Sequence, residues 1–222
     1  MKTSMVPYLS NKDIANKASL FRSKFWNNIL PINIEAIIEI KLAINIIPIQ
    51  GFLKDSGTDA LITSDWKSIY VDREEYLDEG RHNRLRFSLA HEIGHFILHK
   101  KTYTNFKIKT RENYYKLNKK MTTEEYGYFE TQANKFANYL LVPRKILIIE
   151  REKELKRKRN PAWFKKIDMA TLNSYLAIPL SKVFKVSDGV ATIALNNLII
   201  EGDTVNALEK ISKDEHNHYK SI

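Results

Sequence analysis

Two histidines and a glutamate stand at a spacing that could perform chemistry. His91, Glu92 and His95 form the pattern H-E-x-x-H. Residues four apart on a helix lie one above the other, about 6 Å along the axis, so both imidazoles can converge on one metal ion. Glu92 lies about 100° around the helix from His91, which places its carboxylate beside that ion. The pattern predicts a metal-dependent hydrolase in which Glu92 is the general base.

The alternative interpretation of this pattern is ordinary helix surface, because three fixed positions also recur in unrelated proteins. The flanking residues 85–90 and 96–98, however, are mostly apolar. Burial of three polar side chains in such a segment is unfavourable unless they are paired or bound to something. Gly94 also permits the close approach of another backbone. We therefore expect a buried site on a helix over about Leu85–His99.

The third ligand must come from elsewhere in the chain. A catalytic zinc site usually takes three protein ligands and leaves one position for water. The chain has no cysteine, so these ligands must be His, Asp or Glu. His99 lies about 12 Å along the helix axis from His91, too far to share one ion. Lys101 stands where one metalloprotease subclass has its third histidine, which excludes that subclass.

Glu130 is the better candidate for the third ligand. It lies at the margin of the apolar stripe of a helix predicted over Glu124–Val142, and Asn134 follows one turn later on the same side. The carboxylate could bind the metal while the amide accepts a hydrogen bond from a ligand imidazole. The alternative is a solvated Glu-Asn pair on an amphipathic helix. Zinc suits two nitrogens and one oxygen, and manganese or iron could also satisfy this set.

Several other elements are predicted from periodicity and from breaking residues. Ile44–Ile49 reads as a strand, and residues 59–63 and 67–72 read as an antiparallel pair. Helices are predicted over residues 10–28 and after Pro31, the second with Asn33 as its cap. Residues 100–123 are interpreted as loop or irregular helix, and short helices are predicted over 163–198.

The net charge of +10 is concentrated in one segment, since residues 144–166 carry ten Lys or Arg against three Glu. The favoured interpretation is a solvated helix with Glu152–Lys156 and Glu154–Lys158 pairs; a nucleic-acid surface is the less favoured alternative. The N-terminus lacks the apolar core of a signal peptide, and charges and prolines interrupt the apolar residues 29–49. We therefore expect a cytoplasmic protein without a membrane span.

These motifs together resemble the ImmA/IrrE family of metallo-endopeptidases. The resemblance is carried by residues 68–72, 86–95, 130–137 and 140–143 and covers roughly residues 7–205. It implies an α+β, zincin-like domain over residues 1–143, with a small antiparallel sheet and an H-E-x-x-H active-site helix. A smaller, basic helical region would follow over residues 144–222. Val142 stands where the family often has Met, which is a conservative difference.

The resemblance also implies a site and a function. His91, His95 and Glu130 would bind Zn²⁺, one ion per chain, and Glu92 would be the catalytic acid/base. The protein substrate would be a helix-turn-helix repressor, whose cleavage releases transcription of stress or mobile-element genes. Residues 178–191 resemble the family's helix-turn-helix-like segment, but the residues after them are short of the basic and amide side chains that read bases. A partner-binding or structural role is therefore favoured over DNA recognition.

Two rival functions remain open at this point. One is a non-catalytic DNA- or repressor-binding regulator with a relic zincin fold, against which the intact Glu92 argues. The other is a peptidase that acts on general substrates or as a toxin. For either peptidase, the edge of the predicted strand Ile69–Asp72 could pair with an extended substrate. The candidates for oxyanion stabilisation are three tyrosines, Tyr70, Tyr103 and Tyr139.

Overall fold

The computed structural model describes residues 6–157 and 167–200, and these form two compact units. The first unit contains the described residues up to Pro143 together with Phe184–Val186. The second contains the described residues of Arg144–Val183 and those from Ser187 onwards. The first unit combines helices with a small sheet, whereas the described part of the second is helical. The predicted α+β class is confirmed.

The first unit has eight α-helices among its described residues. A π-helical turn, Ile37–Lys41, extends the second of them, and a 3₁₀ turn, Glu79–Arg81, leads into the fifth. The helices are α1 Asn11–Phe25, α2 Ile34–Ala36, α3 Phe52–Ser56, α4 Arg73–Leu77, α5 His82–Leu98, α6 Lys100–Phe106, α7 Arg111–Lys120 and α8 Thr123–Leu141.

Side chains that accept hydrogen bonds from backbone N–H groups begin several of these helices. Ser10 and Asp13 form a reciprocal capping box at α1, and the predicted Asn33 cap accepts from the backbone N–H of Ala36. Residues 100–123 form α6 and α7, so their interpretation as loop or irregular helix was wrong. Thr110 and Asn113 form a capping box at the start of α7, which satisfies N–H groups that a short polar helix would otherwise leave to water.

The sheet has three strands, β1 Asn45–Ile49, β2 Ala60–Ile62 and β3 Ser68–Asp72, in the order β1-β3-β2. β2 and β3 are antiparallel, as predicted. β1 runs parallel to β3, so the sheet is mixed and the expectation of an antiparallel sheet was wrong. The parallel pairing is possible because α3 and β2 separate the two strands in the chain and reverse its direction before β3.

The strand order also corrects the proposed substrate edge. β3 is the central strand, with β1 on one side and β2 on the other, so its backbone groups are taken up within the sheet. It therefore offers no open edge to an extended substrate. The outer edge of β2 lies beside α5, because the backbone N–H of Ile62 donates to the Glu92 carboxylate at 2.7 Å.

The close packing of α5 against α8 forms the centre of the first unit. Leu89, Ile93, Phe136 and Leu140 are fully buried. At Gly94 the two helices approach so closely that an added Cβ would lie 3.0 Å from both the Cα and the carbonyl oxygen of Ala133. The predicted close approach at this glycine is therefore confirmed.

The described part of the second unit consists of three helices, α9 Arg144–Arg157, α10 Met169–Phe184 and α11 Asp188–Ile200, except that the last residue of α10 belongs to the first unit. In α9 the ion pairs are Glu150–Lys153 and Glu154–Arg157, three residues apart instead of the four expected. The predicted partner Lys158 lies outside the described residues. The Ser187 hydroxyl accepts from the backbone N–H of Val190 and so caps α11, as predicted.

Among the helices that the structure describes, none combines the length and the apolar character that are needed to cross a membrane.

The substitution Gly94→Val should destabilise the protein by roughly 1–3 kcal/mol, because its Cβ meets backbone atoms of Ala133 that cannot rotate away. The free energy of unfolding, measured by denaturant titration, tests this expectation. Gly127→Val is the matched control, because a Cβ at Gly127 on α8 meets nothing within 4 Å. The control should change the stability by about 0.5 kcal/mol or less. Equal stability of the two variants would contradict the close approach.

Candidate metal centre

The side chains of α5 and α8 bring two imidazoles and a carboxylate together. His91 and His95 lie one turn apart on α5, and their Nε2 atoms are 2.9 Å apart. Glu130 on α8 places its Oε2 3.2 Å from Nε2 of His91 and its Oε1 3.8 Å from Nε2 of His95. The structure therefore gathers the three residues that the sequence singled out as candidate ligands.

The distances among these donor atoms suit a metal ion. In a tetrahedral zinc site with bonds of about 2.0–2.1 Å, neighbouring donor atoms lie roughly 3.3 Å apart. The three separations given above bracket that value. Two imidazole nitrogens and one carboxylate oxygen also leave a fourth position, as catalytic sites require. The chemistry of the donor set and its spacing thus fit a divalent metal ion.

A hydrogen bond fixes the orientation of the His91 ring. Its Nδ1 lies 2.9 Å from the side-chain oxygen of Asn134, one turn beyond Glu130 on α8. An amide oxygen only accepts, so the Nδ1–H of His91 donates to it. Nε2 of His91 is then directed toward His95 and Glu130, where it would donate to the carboxylate when protonated and bind a metal ion when not. Asn134 thus makes the contact that the sequence analysis expected of it.

His95 makes its outer contact with a second histidine. The Nδ1 atoms of His95 and His99 lie 2.9 Å apart, and Nε2 of His99 lies 2.9 Å from the side-chain oxygen of Gln132. His99 therefore contacts the side of the His95 ring that faces away from Glu130. His99 was rejected as a ligand on its spacing, and no role was predicted for it or for Gln132. Both side chains are buried. The available sequence signal was the spacing of His99, which follows His95 by four residues and therefore lies one turn further on the same helix face.

Glu92 lies beside the imidazoles in a different setting. His91, Glu92 and His95 offer ligand atoms that all lie within 4.8 Å of one another and could hold a metal ion. The carboxylate of Glu92 is buried and accepts the N–H of Ile62. Burial raises the pKa of Glu92 to about 7, against the opposing effects of His91 and of that N–H. A carboxyl group with such a pKa suits proton transfer near neutral pH.

The pKa of Glu130 is shifted in the opposite direction from that of Glu92. Burial alone would raise its pKa, but the hydrogen bond and charge of His91 and the hydroxyl of Tyr114 outweigh burial and lower it. Burial would likewise lower the pKa of His91, but Glu130 and Glu92 raise it overall. The site thus favours positive charge next to an ionised Glu130. Two carboxylates with pKa values shifted apart are typical of a site that divides ligand and acid/base roles.

The structure adds Tyr114 to the site. Its hydroxyl donates to Oε1 of Glu130 at 2.7 Å and lies 3.4 Å from the hydroxyl of Tyr126. Burial raises the pKa of Tyr114, so the phenol stays protonated and remains a donor. Tyr114 was not predicted from the sequence because it lies in the segment interpreted as loop or irregular helix. The polar composition of that segment carried no signal of contact with Glu130.

The three tyrosines suggested for oxyanion stabilisation lie in different settings. Tyr70 is on the opposite face of β3 from Ile69, and its ring lies 6.4 Å from Phe52. Tyr139 is nine residues after Glu130 and so lies on the opposite side of α8. Tyr103 is buried beside His95, with ring centroids 5.4 Å apart, and its hydroxyl has no hydrogen-bond partner among the described residues. Of these three tyrosines, therefore, Tyr103 is the one that lies against the site.

Comparison with known protein families decides the relationship. The model of the Peptidase_M78 family, described as the IrrE N-terminal-like domain, matches residues 75–196. The chain belongs to this family. The matched residues include α5 and α8, which supply the imidazoles and carboxylates described above. No curated protein matches the chain significantly.

Membership in the IrrE N-terminal-like family assigns the chain to a group of metallopeptidases. This agrees with the His91, Glu92 and His95 group that could hold a metal ion. The resemblance recognised from the sequence motifs is thereby confirmed.

The raised pKa of Glu92 predicts a pH-dependent stability of the metal-free protein. A carboxyl group whose pKa is raised by folding stabilises the protein below about pH 4.5, and this contribution is lost as the pH rises through about 7. The substitution Glu92→Gln removes this pH-dependent loss of stability, because an amide does not ionise. The variant should therefore gain stability over the parent between pH 5 and pH 8, by about 2–3 kcal/mol. Denaturant unfolding in the presence of a chelator measures the difference.

Glu124→Gln provides the control for this comparison, because Glu124 is an exposed glutamate on α8. Its stability relative to the parent should not change over the same pH range. A Glu92→Gln variant that gains nothing as the pH rises would show that Glu92 does not carry a raised pKa.

Proposed function

We propose that the protein is a zinc-dependent endopeptidase with a zincin-like fold that cleaves a helix-turn-helix transcriptional repressor in the cytoplasm. Cleavage would release transcription of stress or mobile-element genes. The observation that carries the peptidase assignment is the convergence of His91, His95 and Glu130 beside the buried Glu92. The repressor substrate is proposed from the resemblance of the sequence motifs to the ImmA/IrrE family.

The proposed roles follow from the contacts of each side chain. His91 and His95 would bind the metal through Nε2, and Glu130 would bind it through its carboxylate. Asn134 orients the first imidazole, and the Tyr114 hydroxyl holds Oε1 of Glu130 so that Oε2 stays toward His91. Such outer contacts fix ligand geometry and strengthen metal binding.

The acid/base chemistry belongs to Glu92. A divalent metal ion in this site supplies a Lewis acid that activates water and polarises the scissile carbonyl. Glu92 accepts the proton of the attacking water, because its carboxylate is ionised above pH about 7 and is held in place by the N–H of Ile62. The same group then delivers that proton to the leaving amine. A raised pKa suits both steps, since the group must take up and release a proton near neutral pH.

The rival proposal of a relic fold in a non-catalytic regulator receives less support. A site that had lost catalysis would gain stability by replacing a buried carboxylate that has a raised pKa. The chain retains Glu92 together with its backbone hydrogen bond. The second helix of the helix-turn-helix-like segment, α11, contains no Lys or Arg, which favours a protein partner over nucleic acid.

Co-expression with a helix-turn-helix repressor encoded nearby tests the proposal. We expect one discrete cut in the repressor, and we expect Glu92→Gln to lower the rate of cleavage by about 10²- to 10⁴-fold, as loss of an acid/base group does. The purified variant should still contain one metal ion per chain. Immunoblotting of the repressor and elemental analysis of the purified protein measure the two outcomes.

Two controls sharpen this experiment. His91→Ala should lose both metal and cleavage, whereas His82→Ala, an exposed histidine on the same helix, should keep both. An unfolded protein such as casein, added to the purified enzyme, separates a general peptidase from a repressor-directed one. A parent protein that binds no metal under replete conditions would refute the peptidase proposal. An intact repressor alongside a metal-loaded protein that cuts casein would refute only the substrate.

A further inference from the structure

We propose that His99 and Gln132 are positioning residues that hold His95 as the tautomer with its proton on Nδ1. In this proposal, hydrogen bonds connect His95 through His99 and Gln132 to the backbone carbonyl of Pro7. This carbonyl determines which atom donates in each of them. The inference rests on the proposed function, because it explains how one ligand of the metal is kept ready to bind. It extends the site to the N-terminal segment at Pro7, which is distant in sequence from the H-E-x-x-H motif.

The contact between Gln132 and Pro7 fixes the direction of these hydrogen bonds. A carbonyl oxygen only accepts hydrogen bonds, and the carbonyl of Pro7 lies 2.9 Å from the side-chain nitrogen of Gln132. The amide nitrogen of Gln132 must therefore face Pro7, which turns its oxygen toward His99. That oxygen lies 2.9 Å from Nε2 of His99 and accepts from it. The proton of His99 is thus located on Nε2.

The surroundings of His99 determine which of its nitrogens donates and which accepts. Its side chain is 1 % exposed, its ring stacks on Phe129 at a centroid distance of 4.3 Å, and its two nitrogens face an imidazole and an amide. An imidazolium in such surroundings would be desolvated without a facing carboxylate, which is unfavourable. Neutral His99 with its proton on Nε2 has a lone pair on Nδ1. That lone pair accepts the Nδ1–H of His95 at 2.9 Å.

These hydrogen bonds therefore leave Nε2 of His95 without a proton, and this atom faces the site. The opposite direction would place a proton on Nε2 of His95, 2.9 Å from Nε2 of His91, and this proton would have to leave before the atom could bind a metal. His91 is oriented by a separate contact, in which its Nδ1–H donates to Asn134. The two imidazoles are thus oriented by two independent hydrogen-bond systems, and the one at His95 extends to Pro7.

The N-terminal segment is held against α8 by more than this bond. Val6 is buried, and Nζ of Lys135 donates to the side chain of Asn11 at 2.8 Å. Lys135 lies on the same helix as Gln132 and bonds to Asn11, and among the described residues no hydrogen bond or ion pair joins it to the histidines. It therefore provides a matched control for the loss of Gln132.

The test combines nitrogen NMR of ¹⁵N-histidine-labelled, metal-free protein with competition for Zn²⁺ against a chromophoric chelator. In the parent protein, His95 should carry its proton on Nδ1 and His99 on Nε2. His99→Phe removes the acceptor and should weaken Zn²⁺ binding by about 10- to 100-fold. His99→Asn restores an acceptor oxygen near the position of Nδ1 and should recover most of the affinity. A merely structural role would not be rescued by the smaller amide.

Gln132→Met should mix the tautomers of His99 and weaken Zn²⁺ binding, whereas Lys135→Ala should leave the tautomers and the affinity unchanged. The proposal is overturned if the parent carries the His95 proton on Nε2. It is also overturned if His99→Phe and Gln132→Met bind Zn²⁺ as tightly as the parent. Failure of the peptidase proposal is distinguishable, because the parent would then bind no Zn²⁺ while the tautomers could still be read.

Discussion

The structure depends on one electrostatic constraint, the convergence of electron pairs from two imidazoles and a carboxylate within a few ångströms. Nε2 of His91 lies 2.9 Å from Nε2 of His95 and 3.2 Å from the Glu130 carboxylate. A proton on Nε2 of His91 or a bound cation would satisfy these electron pairs, because Nδ1 of each imidazole is hydrogen-bonded elsewhere. The close packing of α5 on α8, which Gly94 permits, brings the carboxylate to the imidazoles. The close packing of the two helices is therefore what forms the candidate metal site.

The two carboxylates differ because their neighbours differ. Glu130 faces His91 and Tyr114 and stays ionised, while Glu92 lies buried beside β2 with one backbone N–H and has a pKa of about 7. The first suits an anionic ligand and the second a proton carrier. This division supports the assignment of peptidase chemistry more directly than the motif does, since H-E-x-x-H specifies residue types and not their surroundings.

Helical periodicity made the centre of the site predictable from the sequence. The spacing of His91 and His95, and that of Glu130 and Asn134, follows from 3.6 residues per turn, and both pairs lie on helices with clear apolar stripes. The parallel β1–β3 pairing was not predictable, because it joins strands distant in the chain. Tyr114 was missed because only tertiary packing brings α7 to Glu130. The role of His99 depends on the orientation of the Gln132 amide, which the Pro7 carbonyl determines.

X-ray absorption spectroscopy of the zinc-loaded protein tests the central claim most directly. The account predicts a first shell of two imidazole nitrogens, one carboxylate oxygen and one further light atom at about 2.0–2.1 Å. In Glu130→Ala the carboxylate should be lost while both imidazoles remain, with a weaker affinity for zinc. A shell with one or three imidazoles, or a shell unchanged in Glu130→Ala, would contradict the convergence of α5 and α8 on one metal ion.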